Sequence, residues 1–221
     1  MKKKKIIILG ATGGCVDILD TINDINLNSS NCRYECIGFL DDNKSLWGKK
    51  VLNSKVLGPF EKSSKYLKDC YFITGIGGPH NFWKKKSIIS GLNIPLERFE
   101  TIIHPTANLS NTVTLGFGCV IHQNVTITRD VQISNHVLIL PNTVITHGDI
   151  IGDYSIINAG VCISGDVNMG KSCYIGANSS IRQNIKIRDY CLIGMGSVVL
   201  HDVAENSVVV GNPARFLRHT K

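Results

Sequence analysis

The sequence predicts two units of different architecture, a small doubly wound α/β domain over residues 1–100 and a parallel β-helix over residues 101–221 that ends in a C-terminal cap. Three observations carry that expectation. From Ile103 to Val199 every sixth residue is a medium-sized aliphatic, with no slip of register. A short apolar run, Ile6-Ile7-Ile8-Leu9, feeds the glycine turn Gly10-Ala11-Thr12-Gly13-Gly14. Aromatic residues make up only 7% of a chain that is 43% hydrophobic, which suits a thin prism that admits small and aliphatic side chains.

Ile6 to Leu9 is continuous and apolar, the mark of a buried parallel strand, and Cys15 to Ile22 has the apolar spacing of a helix. A glycine turn between them brings backbone N–H groups and the positive helix end toward a phosphate or another acceptor. Tyr34 to Leu40 is the second strand and ends in Asp41-Asp42, where a carboxylate commonly accepts hydrogen bonds from a nucleotide's sugar or base. Val51 to Leu57 reads as a hairpin or extended segment. Tyr71 to Thr74 is a further strand running into Gly75-Ile76-Gly77-Gly78, with a helix from about Asn81 to Gly91. The turn is G-x-x-G-G, so this Rossmann-like unit carries only part of the dinucleotide fingerprint. Gly13, Gly14, Asp41, Asp42 and Gly75 are its candidate substrate-binding residues.

A period of six fits neither a helix nor a lone amphipathic strand. Each six-residue unit lays one short strand, and three units close one triangular coil. Residues eighteen apart then stack at about the 4.8 Å spacing of neighbouring strands. Seventeen such positions, from Ile103 through Ile145, Ile151 and Met169 to Val199, make between five and six coils. That is roughly 27 Å of prism at this spacing. Four residues after most of these aliphatics comes a small or β-branched residue, among them Val113, Cys119, Thr143, Ser155, Cys173 and Cys191.

The net charge of +7 suits anionic small molecules, and without a basic stripe interleaved with aromatics it does not indicate nucleic acid. The run Lys2 to Lys5 reads as a solvated tail. The apolar run behind it stops at Gly10, too short for a signal segment, and nothing approaches a membrane span. None of the eight cysteines forms a C-x-x-C pair, so the expectation is reduced thiols in a cytoplasmic protein with no metal site.

Several pieces, in this order, carry a resemblance over nearly the whole chain. They are Gly10-Ala11-Thr12-Gly13-Gly14, Gly38-Phe39-Leu40-Asp41-Asp42, Val56-Leu57-Gly58 and Ile103-His104-Pro105, followed by Thr146 to Asp153 and Val210-Gly211-Asn212-Pro213-Ala214-Arg215. The chain resembles the nucleotide-sugar acetyltransferases of the left-handed β-helix, hexapeptide-repeat superfamily. The resemblance implies left-handed coils, a homotrimer with sites between subunits, acetyl-CoA lying between neighbouring prisms and a nucleotide-sugar substrate. It implies acetyl transfer to a 4-amino-4,6-dideoxy sugar; O-acetylation of a sialic-type sugar and a non-catalytic scaffold are the other readings.

Acetyl transfer to an amine needs a proton acceptor within hydrogen-bond reach, and histidine suits that task at neutral pH. His147 follows the core residue Ile145 by two positions, so it is expected at a prism corner, facing outward. The column through it reads Arg129, His147, Gly165, Gln183, His201, and Gly165 is expected to leave open space beside the imidazole. By resemblance His147 is the general base. The family's usual acidic residue after that histidine is Gly148 here, with Asp149 as a candidate substitute, and Ile156 stands where many members carry a coenzyme-contacting histidine. The resemblance places acetyl-CoA along Ile156, Gly176, Ala177, Gly194 and Met195, and the open space expected at Gly165 would let its thioester or pantetheine arm pass. His104 is expected to make a contact at the domain junction.

Overall fold

The computed structural model describes residues 3–29 and 32–220. Met1 and Lys2, which open the basic run, lie outside them. The first unit is a five-stranded sheet of β1 (Lys4–Leu9), β2 (Tyr34–Leu40), β3 (Lys50–Val51), β4 (Ser54–Gly58) and β5 (Cys70–Thr74), in the order β3-β4-β2-β1-β5. All pairings are parallel except the β3–β4 hairpin. The expected first helix is α1 (Gly14–Leu27). The expected second one is a 3-10 turn, Phe82–Lys84, that passes directly into α2 (Lys85–Gly91). The central strand β1 buries Ile6, Ile7, Ile8 and Leu9 completely, as its unbroken apolar run requires.

The second unit is a left-handed prism of two-residue strands. Six strands from Ile102–Ile103 to Leu192–Ile193 form one face, which continues into a C-terminal hairpin of Ser207–Val210 and Arg215–His219. Six more, from Asn108–Leu109 to Val198–Val199, form the second face, and five, from Thr114–Leu115 to Lys186–Ile187, form the third. Partners in the ladders between these two-residue strands are eighteen residues apart, as in Val144 with Cys162 and Ile150 with Asn168. The inward side chains are the sixth-residue aliphatics together with the small-residue column, and most are fully buried.

From Gly118 to Gly196 the corners turn through residues with positive φ, recurring every six positions: Gly118, Asn124, Asp130, His136, Asn142, Gly148, Tyr154, Gly160, Asp166 and onward to Gly196. Glycine, asparagine and aspartate dominate that column because they tolerate the left-handed region best.

The two units share a core. On the first prism face the outward residues Ile102, Val120, Leu138 and Ile156 are buried, and Tyr174 and Leu192 pack beside them. They lie against Cys15, Ile18, Leu19, Ile22 and Ile25 of α1 and against Phe82. Polar contacts fix the seam. His104, 5% exposed, bonds Asp24 through Nε2 at 3.0 Å, while the Thr106 N–H donates to its Nδ1 at 3.1 Å. The ring therefore carries its proton on Nε2. His122 Nδ1 meets Thr21 Oγ1 at 3.1 Å. Fully buried Lys85 donates to the His136 carbonyl at 2.6 Å, and burial brings its pKa down to about 8.

Candidate active site

Two hollows among the described residues hold side chains expected at the site. The first is a cavity of about 400 Å³ at the carboxyl ends of β1 and β5, lined by Gly10, Thr12, Gly13, Gly14, Cys15, Asp41, Phe60, Gly75, Gly77, Asn81 and Ile88, among others. The α1 N-terminus, starting at Gly14 after the Gly13 cap, opens into it. The positive end of a helix favours negative charge there. Glycine is obligatory at position 75: a Cβ there would stand 2.9 Å from the Gly14 carbonyl carbon and oxygen.

Asp41 lines this cavity, with Oδ2 accepting the Ala11 N–H and Oδ1 the Asn43 N–H, both at 2.8 Å. It shapes the glycine turn and keeps further lone pairs for a ligand. Cys15 is no nucleophile: burial pushes its thiol up to about 12, and Sγ donates to the Leu9 carbonyl. The structure thus brings together Gly13, Gly14, Asp41 and Gly75. Asp42 is corrected. Its Oδ1 accepts the Phe60 N–H at 2.9 Å, and it faces a separate hollow lined by Pro59, Phe60 and Leu67. The second of two successive residues leaving a strand points the other way.

The second place surrounds His147, at the corner between the second and third prism faces. This corner lies opposite the face that the α/β unit covers. A hollow of about 400 Å³ runs from it along the second face, lined by Asn108, Ser110, Thr126, Ile127, Thr128, Arg129 and His147. The His147 side chain is 49% exposed. The space above Gly165 is not open, as expected, but filled by the imidazole itself: a Cβ at Gly165 would lie 2.5 Å from His147 Nε2. The ring has folded onto the next coil, where a missing side chain makes room for it.

Asp149 does not reach His147. It is fully buried inside the prism, its Oδ1 accepting the Val167 N–H at 2.8 Å and its Oδ2 without a partner. Position 149 belongs to the inward column, so its side chain turns away from the corner. The carboxylate beside His147 is that of Asp166, Oδ2 to Nε2, at 4.0 Å. Residue spacing along the chain could not single it out, but the eighteen-residue stacking could, since Asp166 lies directly beneath Gly148.

Ile156 is also corrected: it is 1% exposed and its Cδ1 abuts Gly77, so the chain's own α/β unit occupies the surface expected for the coenzyme. The signal was the outward column Ile102, Val120, Leu138, Ile156, whose unbroken apolar character marks a docking face. Gly176, Ala177, Gly194 and Met195 lie near the lower end of the prism. A Cβ at Gly176 would stand 2.5 Å from the Met195 N, so those two turns stack in close contact, and Met195 is 78% exposed. Among the described residues, no group of three or more His, Cys, Asp or Glu side chains is placed to hold a metal ion. No helix there is long and apolar enough to cross a membrane.

An α/β unit with a glycine-turn cavity, docked on a left-handed hexapeptide prism with an exposed corner histidine, defines the architecture of this chain. Residues 5–90 match the family model of the PglD N-terminal domain, and residues 166–201 match the bacterial transferase hexapeptide repeat. Both parts of the resemblance read from the motifs are therefore present. No curated protein matches the chain by sequence. Among solved structures, the acetyltransferase domain of PglB from Neisseria gonorrhoeae superposes with a TM-score of 0.83 at 22% identity, over 97% of this chain and 100% of that one. PerB from Caulobacter crescentus, solved in complex with CoA and GDP-perosamine, gives 0.81 at 18% identity, over 97% of each chain. WeeI from Acinetobacter baumannii gives 0.65 at 18% identity, over 97% of this chain and 100% of that one.

Proposed function

We propose that this chain is an acetyl-CoA-dependent N-acetyltransferase acting on a nucleotide-linked 4-amino-4,6-dideoxy sugar, with His147 as general base. The observation that carries the reading is the pairing of a phosphate-suited glycine-turn cavity with an exposed histidine at a prism corner. The fold is shared end to end with PerB, which was solved with CoA and GDP-perosamine. The same fold accompanies PglB solved with acetyl coenzyme A.

The nucleotide occupies the cavity lined by Gly13, Gly14, Asp41 and Gly75. The sugar's amine, unprotonated, attacks the thioester carbonyl carbon. As the C–N bond forms, His147 takes the amine proton; the C–S bond breaks with its electron pair on sulfur, and the products are the amide and free coenzyme A. No acyl-enzyme is needed, since attack by the amine is direct.

The cavity and His147 lie on opposite sides of one prism. A homotrimer resolves this by bringing the cavity of one copy to the His147 corner of its neighbour. The second face supports that assembly: its outward residues Asn108, Thr126, Val144, Cys162, Ser180 and Val198 include no charge. Depletion of charge marks the core of an interface. Acetyl-CoA then lies between prisms, along Gly165, Gly176, Ala177, Gly194 and Met195.

The test is coenzyme A release from acetyl-CoA with UDP-, dTDP- and GDP-linked 4-amino-4,6-dideoxy sugars beside free and CMP-linked sialic acid. Turnover of one amino sugar, abolished in His147→Ala, is the expected result. Turnover of a sialic acid alone makes the reaction O-acetylation, and unchanged turnover in His147→Ala removes the base.

A further inference from the structure

We infer that Asp166, one coil below the corner, is the positioning residue for His147, and that Gly148 and Gly165 are the two vacancies that make the pairing possible. The inference rests on the reading of His147 as the base. Residues eighteen apart stack in this prism, so Gly165 lies beneath His147 and Asp166 beneath Gly148. The two steps interlock reciprocally. The imidazole folds down into the position where residue 165 has no side chain. The Asp166 carboxylate rises into the position where residue 148 has none, and a Cβ on Gly148 would collide with Asp166 Oδ1.

With Oδ1 against Gly148, Oδ2 faces the ring at 4.0 Å from Nε2. That is an ion-pair distance, not a hydrogen bond. The protonated ring, formed once the amine proton is taken, is the state that draws the carboxylate in. Asp166 thus favours Nε2–H, leaves the Nδ1 lone pair as the proton acceptor, and stabilises the imidazolium that follows.

A simpler role for Asp166 is to finish a turn. Gly160 and Asn178, also eighteen apart, interlock in the same way, with Asn178 Oδ1 against the Gly160 position. There the residue before the glycine is Ala159, and no titratable ring adjoins. At the corner the equivalent group is charged and the neighbouring residue is His147. The test must therefore separate turn formation from action through the ring.

Steady-state kcat and KM for acetyl transfer are compared for the intact protein, Asp166→Asn, His147→Ala, both together, and the swap Asp166→Ala/Gly148→Asp. Asparagine keeps the left-handed backbone of position 166, and the swap places a carboxylate directly after the histidine. The three atoms nearest to a Cβ at 148 all belong to Asp166, so its truncation clears the space. Asp166→Asn is expected to lower kcat roughly ten- to a hundredfold, the usual effect of losing a group that orients a functional histidine. KM for both substrates is expected to stay unchanged. The same change is expected to cost nothing further in the His147→Ala background, and the swap to restore most of the lost kcat. Equal losses with and without His147, or no recovery in the swap where His147→Ala leaves no measurable rate, make Asp166 a turn former only. Full kcat in Asp166→Asn beside an impaired His147→Ala overturns the pairing and leaves the base in place. Unimpaired His147→Ala removes the base and the pairing together.

Discussion

Replacing Asp149 by asparagine is expected to remove a pH dependence built into the prism. The carboxyl is fully enclosed among the inward residues. Burial pushes its pKa from 3.8 to about 7, against the Val167 N–H bond, which lowers it, and with the nearby Asp166 charge, which raises it further. The folded protein therefore holds this proton more tightly than the unfolded chain does. The resulting stability is fully present below the unfolded value, near pH 4, and is lost as pH rises through about 7. A rise of about three units at 1.36 kcal/mol each amounts to roughly 4 kcal/mol. For a chain of this size that is on the order of 8–16 °C in Tm. Asparagine keeps the acceptor for the Val167 N–H and leaves its amide N–H unmatched, a cost of about 1–3 kcal/mol that does not vary with pH. The assay is a pair of melting series from pH 4 to pH 9 at one fixed protein concentration, because assembly shifts Tm by mass action. The difference between the variant and the natural protein should swing in favour of the variant between about pH 4 and pH 7, the window set by this one carboxyl. Parallel curves would refute the reasoning, because the carboxyl would then ionise in both states alike.

Three further outcomes are expected. Gly75→Ala sets a methyl group against the Gly14 backbone, and an overpacking cost of about 1–3 kcal/mol raises KM for the nucleotide sugar roughly ten- to a hundredfold. Calorimetry should find acetyl-CoA affinity unaltered, and an unchanged KM would count against the cavity as the nucleotide site. Ile156→Ala opens a void at the seam between the units and should cost about 2–5 kcal/mol in denaturant unfolding. Weaker acetyl-CoA binding with no loss of stability would return Ile156 to the coenzyme. Val144→Asp puts a charge on the uncharged second face; sedimentation velocity should show trimers replaced by monomers with acetyl transfer lost, and an intact trimer would relocate the interface.

The prism was legible because its period is locked. Each sixth residue faces inward, so a single slip between Ile103 and Val199 would have put a polar side chain in the core or an isoleucine in water. The same register placed His147 at a corner, two residues past Ile145. What the linear sequence hid was everything carried by the third dimension of the stack. The partner of His147 lies nineteen residues on, in the next coil, and no local motif joins the two. Asp149 sits closer along the chain yet points inward, because position matters more than proximity in a six-residue repeat. Asp42 faces a different hollow from Asp41 for the related reason that a strand end sends successive side chains to opposite sides. The docking face was readable in principle, since Ile102, Val120, Leu138 and Ile156 form an apolar column at eighteen-residue spacing with no place in the interior. The left-handed corner column from Gly118 to Gly196 was readable as well, and it explains Gly148 as a residue suited to its backbone angle.

The ladder spacing turns the prism into a ruler. The docked face fixes the glycine-turn cavity at one height along the axis, while His147 sits at a height set by the number of coils before it. An insertion of eighteen residues ahead of His147 would leave every inward, outward and corner position in phase. It would nonetheless slide the histidine by one strand spacing, about 4.8 Å, relative to the docked unit. Any other length would turn the histidine away from its corner or break the core. Gaining or losing whole coils is thus a discrete way for such a prism to change the separation between the corner histidine and the glycine-turn cavity.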